Sequence, residues 1–141
     1  MGDVTFYILP HDPEIWASIN DGGEKLKSDL SVDLNDFSNE LRELWPKAKV
    51  DLVTNENRRE VRWQIPEPGP DSCWGALLYH SIVEIDSRPV DVVLQFVIWY
   101  RHYVPLVHRL FMMVPEGHSV IELTQHTSAN DIKRTFWMEH F

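Results

Sequence analysis

The sequence is poor in cysteine and in positive charge, and it has no uninterrupted apolar run of membrane length. Cys73 is the single cysteine among 141 residues, so no internal disulfide can form and no multi-cysteine zinc site is available. A reduced, intracellular setting is the expectation that follows. The chain carries 13 Lys and Arg against 22 Asp and Glu, a formal charge of −9. Duplex binding rests on cations that neutralise phosphates, so this balance argues against nucleic acid as a partner. The most apolar stretch, Val90 to Tyr100, is interrupted by Asp91 and Gln95 and closed by Arg101. It is too short and too polar to span a bilayer.

Recognisable addresses and cofactor motifs are missing as well. Met1-Gly2-Asp3 leads straight into Val4–Leu9 with no basic n-region and no long apolar core, and Phe6 stands where a myristoylation signal needs Ser or Thr. No Asn begins a glycosylation sequon. There is no phosphate loop, no nucleophile elbow and no dinucleotide fingerprint, and Gly22-Gly23 reads as a turn. The expectation is a soluble cytoplasmic protein that holds no cofactor and does not engage the membrane.

What is present suits one folded domain spanning 1–141. The chain is 43% hydrophobic and 25% charged, near globular averages, and long enough to fold on its apolar core. Val4–Leu9 reads as a strand, and Asp12-Pro13-Glu14 as the start of a helix carrying Ile15, Trp16 and Ile19. Leu34, Phe37, Leu41, Leu44 and Trp45 share one face of a second helix, capped by Ser31 or Asp33 and stopped by Pro46. Val50, Leu52 and Val53 mark a strand. Val61, Trp63 and Ile65 alternate with Arg62 and Gln64 as a half-buried one. After the proline-rich loop 66–71, Cys73 to Asp86 is one long strand or a tight pair. A helix over 89–103 follows, then strands around Leu110–Val114 and Val120–Leu123. A last helix opens at Ser128 and Asp131, which match a capping box. Strand pairs separated by helices predict an α+β fold, a mainly antiparallel sheet with helices on one face, in a ferredoxin-like layout with additions.

The 89–103 helix is apolar almost all round, because Asp91, Gln95 and His102 form one narrow polar stripe. Something besides the sheet must cover its second side. Either the amphipathic helix ending at Trp45 does so, or the helix meets a symmetry mate in a homo-oligomer. The two differ in solution mass.

Candidate chemistry is sparse. Seven histidines invite a metal hypothesis, but His102 and His108 lie six apart across Pro105, unlike a helical zinc pair, and no metal site is expected. His80, Glu84 and Asp86 share strand parity if their strand is continuous, an arrangement suited to general acid–base work. Cys73, beside the proline-rich loop, is the one candidate nucleophile. These four are the candidate catalytic residues. Arg58, Arg59 and Arg62 make a weak basic patch, tempered by Glu56 and Glu60.

Charge is the clearer asymmetry: His11 to Trp45 contributes −6 of the total −9. Asp29, Asp33, Asp36, Glu40 and Glu43 would lie on an acidic helical face, able to steer a basic partner by long-range attraction. In size and charge the chain resembles bacterial immunity or antitoxin-type inhibitors. Two functions are therefore expected as alternatives: a non-enzymatic protein–protein interaction or inhibitor module, immunity-like, that binds a basic protein, or a small enzyme or ligand-binding domain with a His/carboxylate site.

Overall fold

Alternating apolar residues build strands whose inner faces need a cover, and the described helices supply it on one side of the sheet. The structure, a computed structural model, describes residues 4–12, 30–52, 59–66, 72–87, 91–115 and 119–137. The order of elements is β1 (Val4–Leu9), α1 (Leu34–Leu44), β2 (Lys49–Leu52), β3 (Arg59–Pro66), β4 (Ser72–Leu78), β5 (Ile82–Ser87), α2 (Asp91–Tyr103), β6 (Leu110–Val114), β7 (Ser119–Leu123) and α3 (Ala129–Ile132), which widens into a π-helical turn over Lys133–Trp137. The helix expected around Ile15 falls outside the described residues. Among the described residues, no helix is long and apolar enough to cross a membrane.

The strands form one seven-stranded antiparallel sheet in the order β2-β3-β4-β5-β1-β6-β7. β2 to β5 run as a meander, and β6 and β7 as a hairpin. β1 sits between the two groups, antiparallel to both β5 and β6. β5 and β6 are therefore parallel to each other and joined through α2, a split βαβ unit with β1 threaded through it. The α+β architecture with an antiparallel sheet is thus as expected.

The stretch Cys73–Asp86 is a tight pair. Leu78 accepts from the Ser81 N–H at 3.0 Å, and Tyr79 and His80 take positive φ values of 55° and 60°. Few residues other than glycine adopt that region, so the turn needs outside support. Glu60 accepts from the His80 backbone N–H at 2.7 Å, and the Val32 N–H donates to the His80 carbonyl at 2.8 Å.

Strand parity sorts the side chains over β2 to β5, while at β1 and β6 Leu9 and Phe111 of the other parity are buried too. Phe6, Ile8, Val61, Trp63, Ile65, Cys73, Leu77, Val83, Ile85, Leu110 and Met112 face inward and are buried. On this face the Trp63 indole lies across Gly75, its direct partner on β4, and a Cβ at Gly75 would fall inside the shells of Trp63 Cε2 and Cζ2. Trp63 stacks on Phe96 of α2, with ring centroids 5.0 Å apart and planes 20° apart. Phe37 of α1 closes the cluster, 5.4 Å from Trp63 and 5.6 Å from Trp99. Trp45 stacks on Phe96 at 6.1 Å. The second side of α2 is therefore met by α1 of the same chain, the first of the two covers expected for it. Leu44, expected on the buried face of α1, is 50% exposed. It ends the helix at the margin of the apolar stripe, and Trp45 takes the inward place.

Two polar devices fix the ends. Asp33 caps α1 by accepting from the Asp36 N–H at 2.9 Å, and Ser128 and Asp131 cap α3 with both halves of the capping box in place. Those hydrogen bonds, with Arg134 alongside, hold the Asp131 carboxyl below its usual range. Arg101, 3% exposed, donates to the carbonyls of His108, Leu123, Val104 and Pro105 at 3.0–3.1 Å. It ties the end of α2 to its following loop and to β7.

Arg101→Met should strip donors from several buried carbonyls and cost at least about 3 kcal/mol in urea unfolding. Gly75→Ala should cost roughly 1–3 kcal/mol by overpacking. In a Trp63→Leu background the same glycine substitution should cost well under about 1 kcal/mol, because the clashing ring is gone. An undiminished cost there would contradict the packing described.

Candidate functional site

The opposite face of the sheet carries the other half of each strand's alternation. Along β2 to β5 it bears Lys49, Asp51, Arg62, Gln64, Trp74, Ala76, Glu84 and Asp86, which line a groove of about 530 Å³. Two rows cross it. One runs Lys49, Gln64, Trp74, Asp86 and Thr5, and the other Asp51, Arg62, Ala76, Glu84 and Tyr7. Ala76 is a short floor between long neighbours. With strands about 4.8 Å apart, the backbones of Arg62 and Glu84 lie about 10 Å apart across it.

Trp74 is 52% exposed in this groove. Its position follows from parity: Cys73, Gly75 and Leu77 point to the helices, so Trp74 and Ala76 point away. Glu84 and Asp86 belong to the same face of β5, and hydroxyls on β1 orient both. Thr5 Oγ1 donates to Asp86 Oδ1 at 2.6 Å, and Tyr7 Oη donates to Glu84 Oε2 at 3.1 Å. Arg62 and Lys49 stand on the other wall with Asp51, and all three are exposed.

The four candidate catalytic residues do not converge. Glu84 and Asp86 share the groove, but His80 lies in the β4–β5 turn, because the strand is interrupted there. Its Nε2 is 2.5 Å from Glu60, and its Nδ1 is 3.4 Å from the Val32 carbonyl oxygen. Cys73 is 1% exposed on the opposite, helix-covered face, as its odd-numbered place on β4 requires. A site built from all four is thereby corrected to a carboxylate pair. Among the described residues, no three His, Cys, Asp or Glu side chains come close enough to hold a metal ion.

The acidic residues proposed for partner contact fare unevenly. Asp29 lies outside the described residues. Asp33 is engaged as the α1 cap, and Asp36 accepts from the Tyr103 hydroxyl at 2.9 Å. Burial, and then that bond to Asp36, push the Tyr103 hydroxyl well above its usual pKa. Glu40 and Glu43 remain on the outer side of α1. Partial burial raises the Glu40 carboxyl above its usual range, and Asp36 and Glu43 add to the shift. With His102 and Tyr103 of α2, Asp33, Asp36 and Glu40 border a recess of about 380 Å³.

Residues not singled out from the sequence as site candidates are Trp74, Gln64, Ala76, Thr5 and Tyr7. The alternation about Trp63 already placed Arg62 and Gln64 on the outer face. The same count through Cys73 and Leu77 would have exposed Trp74. No family model matches the chain, and neither do any curated proteins or solved structures.

A raised carboxyl pKa in the folded state means that ionised Glu40 opposes folding above its unfolded value, and that the penalty vanishes once the group is protonated. Glu40→Gln should therefore raise the melting temperature at pH 7. The difference from the parent should disappear as the pH falls below about 4, the ordinary Glu range. A gain that persists at pH 3 would show that charge is not its cause.

Proposed function

We propose that this protein is a non-catalytic protein-interaction module, immunity-like in being a small acidic inhibitor, that docks a basic protein on the outer face of β2–β5. The observation that carries this reading is Trp74, half-exposed at the centre of a charged groove. A large aromatic exposed beside oriented polar groups is the arrangement of an interface anchor, and tryptophan is enriched among the residues that dominate binding energy. The charge of −9 favours a cationic partner and disfavours nucleic acid. On this reading the acids of α1 do not form the contact. Asp33 and Asp36 are engaged within the chain, while Glu40 and Glu43 add to the field that speeds encounter.

The second reading, a ligand-binding or catalytic domain, is supported by Glu84 and Asp86, two carboxylates on one strand face oriented by neighbouring hydroxyls. It has lost the imidazole of His80 and the thiol of Cys73, which do not line the groove.

The partner that co-purifies from the native host at low salt should be released by a high-salt wash. Trp74→Ala should weaken it by about 2 kcal/mol, roughly thirtyfold, with no change in thermal stability. Undiminished retention by Trp74→Ala would place the contact elsewhere.

A further inference from the structure

We infer that the groove takes an arginine side chain of the partner, with its guanidinium stacked on Trp74 and hydrogen-bonded to Asp86. This rests on the docking face proposed above and adds the chemistry of its anchor.

Trp74 offers an indole face that no ring or cation among the described residues occupies, and indole is the best cation–π acceptor among side chains. Asp86 is its direct cross-strand partner on the same face, so the carboxylate stands beside the ring. Thr5 Oγ1 occupies Asp86 Oδ1, which sets the orientation of the carboxylate and leaves Oδ2 to accept from a ligand. Glu84, one step along β5 and held by Tyr7, adds a second negative charge on that wall.

Charge decides the sign of the guest. Three carboxylates, Asp51, Glu84 and Asp86, line the groove against two cations, Lys49 and Arg62, and it is Asp86 that pairs directly with Trp74. On the far wall, Arg62 is directly opposite Asp51, so an anion arriving there would meet a carboxylate. Shape decides between the two basic side chains. A planar guanidinium can lie flat on the indole while its N–H groups donate in plane to Asp86. A compact ammonium presents no such plane and gives up one contact for the other. The aliphatic stem can run over Ala76, where the sheet surface is lowest.

The test is a titration of the full chain, with Nα-acetyl-arginine amide as probe, followed on the indole N–H resonance of Trp74, which is assigned through Trp74→Phe. Saturable shifts at the Trp74 indole and at the backbone of β4 and β5 are expected. The lysine analogue should bind about fivefold more weakly, and the citrulline analogue, isosteric but uncharged, should not saturate. Asp86→Asn keeps an acceptor for Thr5 but removes the charge, and should weaken arginine by about tenfold. Equal binding of citrulline, shifts confined to α1, or no saturation at all would overturn the inference. If arginine fails while Trp74→Ala still releases the partner, the docking face stands and only the guanidinium falls. If neither responds, both readings fall together.

Discussion

The contact on which the architecture depends is the Trp63 indole lying across Gly75. It needs a position on β4 with no side chain, and only glycine provides one there. Because the indole lies flat against the sheet, its other side is free to stack on Phe96 of α2. Phe37 then packs against Trp63, Phe96, Trp99, Tyr100 and Tyr103 together. Each aromatic pair adds about 0.5–1.5 kcal/mol beyond its buried area. Trp63 Nε1 lies buried with no hydrogen-bond partner among the described residues, at a cost of about 1–3 kcal/mol that matches what its two ring contacts, with Phe37 and Phe96, contribute together. Sheet, α2 and α1 are thus joined through one aromatic cluster on one side.

That concentration gives the sheet two unlike faces. The inner one is crowded with large rings. Over β2 to β5 the outer one has Ala76 and Gly75 at its lowest point, with charged residues and Trp74 around them. The groove is a consequence of strand alternation, since each residue that fills the core leaves its neighbours to shape the outside. The hydroxyls of β1 then orient the β5 carboxylates, so the central strand contributes to the core through Phe6 and Ile8 and to the groove through Thr5 and Tyr7.

Much of this was readable from residue patterns. The capping box at Ser128, the alternation about Trp63 and the narrow polar stripe of α2 all reflect local periodicity, which the fold preserves. The requirement for a cover over α2 was also visible, and α1 meets it through Phe37 and Trp45. The site was less accessible. Parity grouped His80 with Glu84 and Asp86 only on the assumption of an unbroken strand, and the turn at Tyr79 and His80 breaks it without a glycine. It is sustained by Glu60 and Val32, contacts distant in sequence that no local pattern announces. Cys73 is a reactive residue type, although its parity with Leu77 places it in the core. Trp74 is concealed by composition, since six tryptophans in a core-forming chain mask one whose alternation points outward.

The central claim is that the partner contacts the β2–β5 face and not the acidic outer side of α1. Placing a photo-crosslinking benzoyl-phenylalanine at position 62, beside Trp74 in the groove, in one protein and at position 43 in another, and irradiating each in the native host, tests it most directly. A crosslinked partner from position 62 and none from position 43 is expected. Crosslinking from position 43 alone would contradict it.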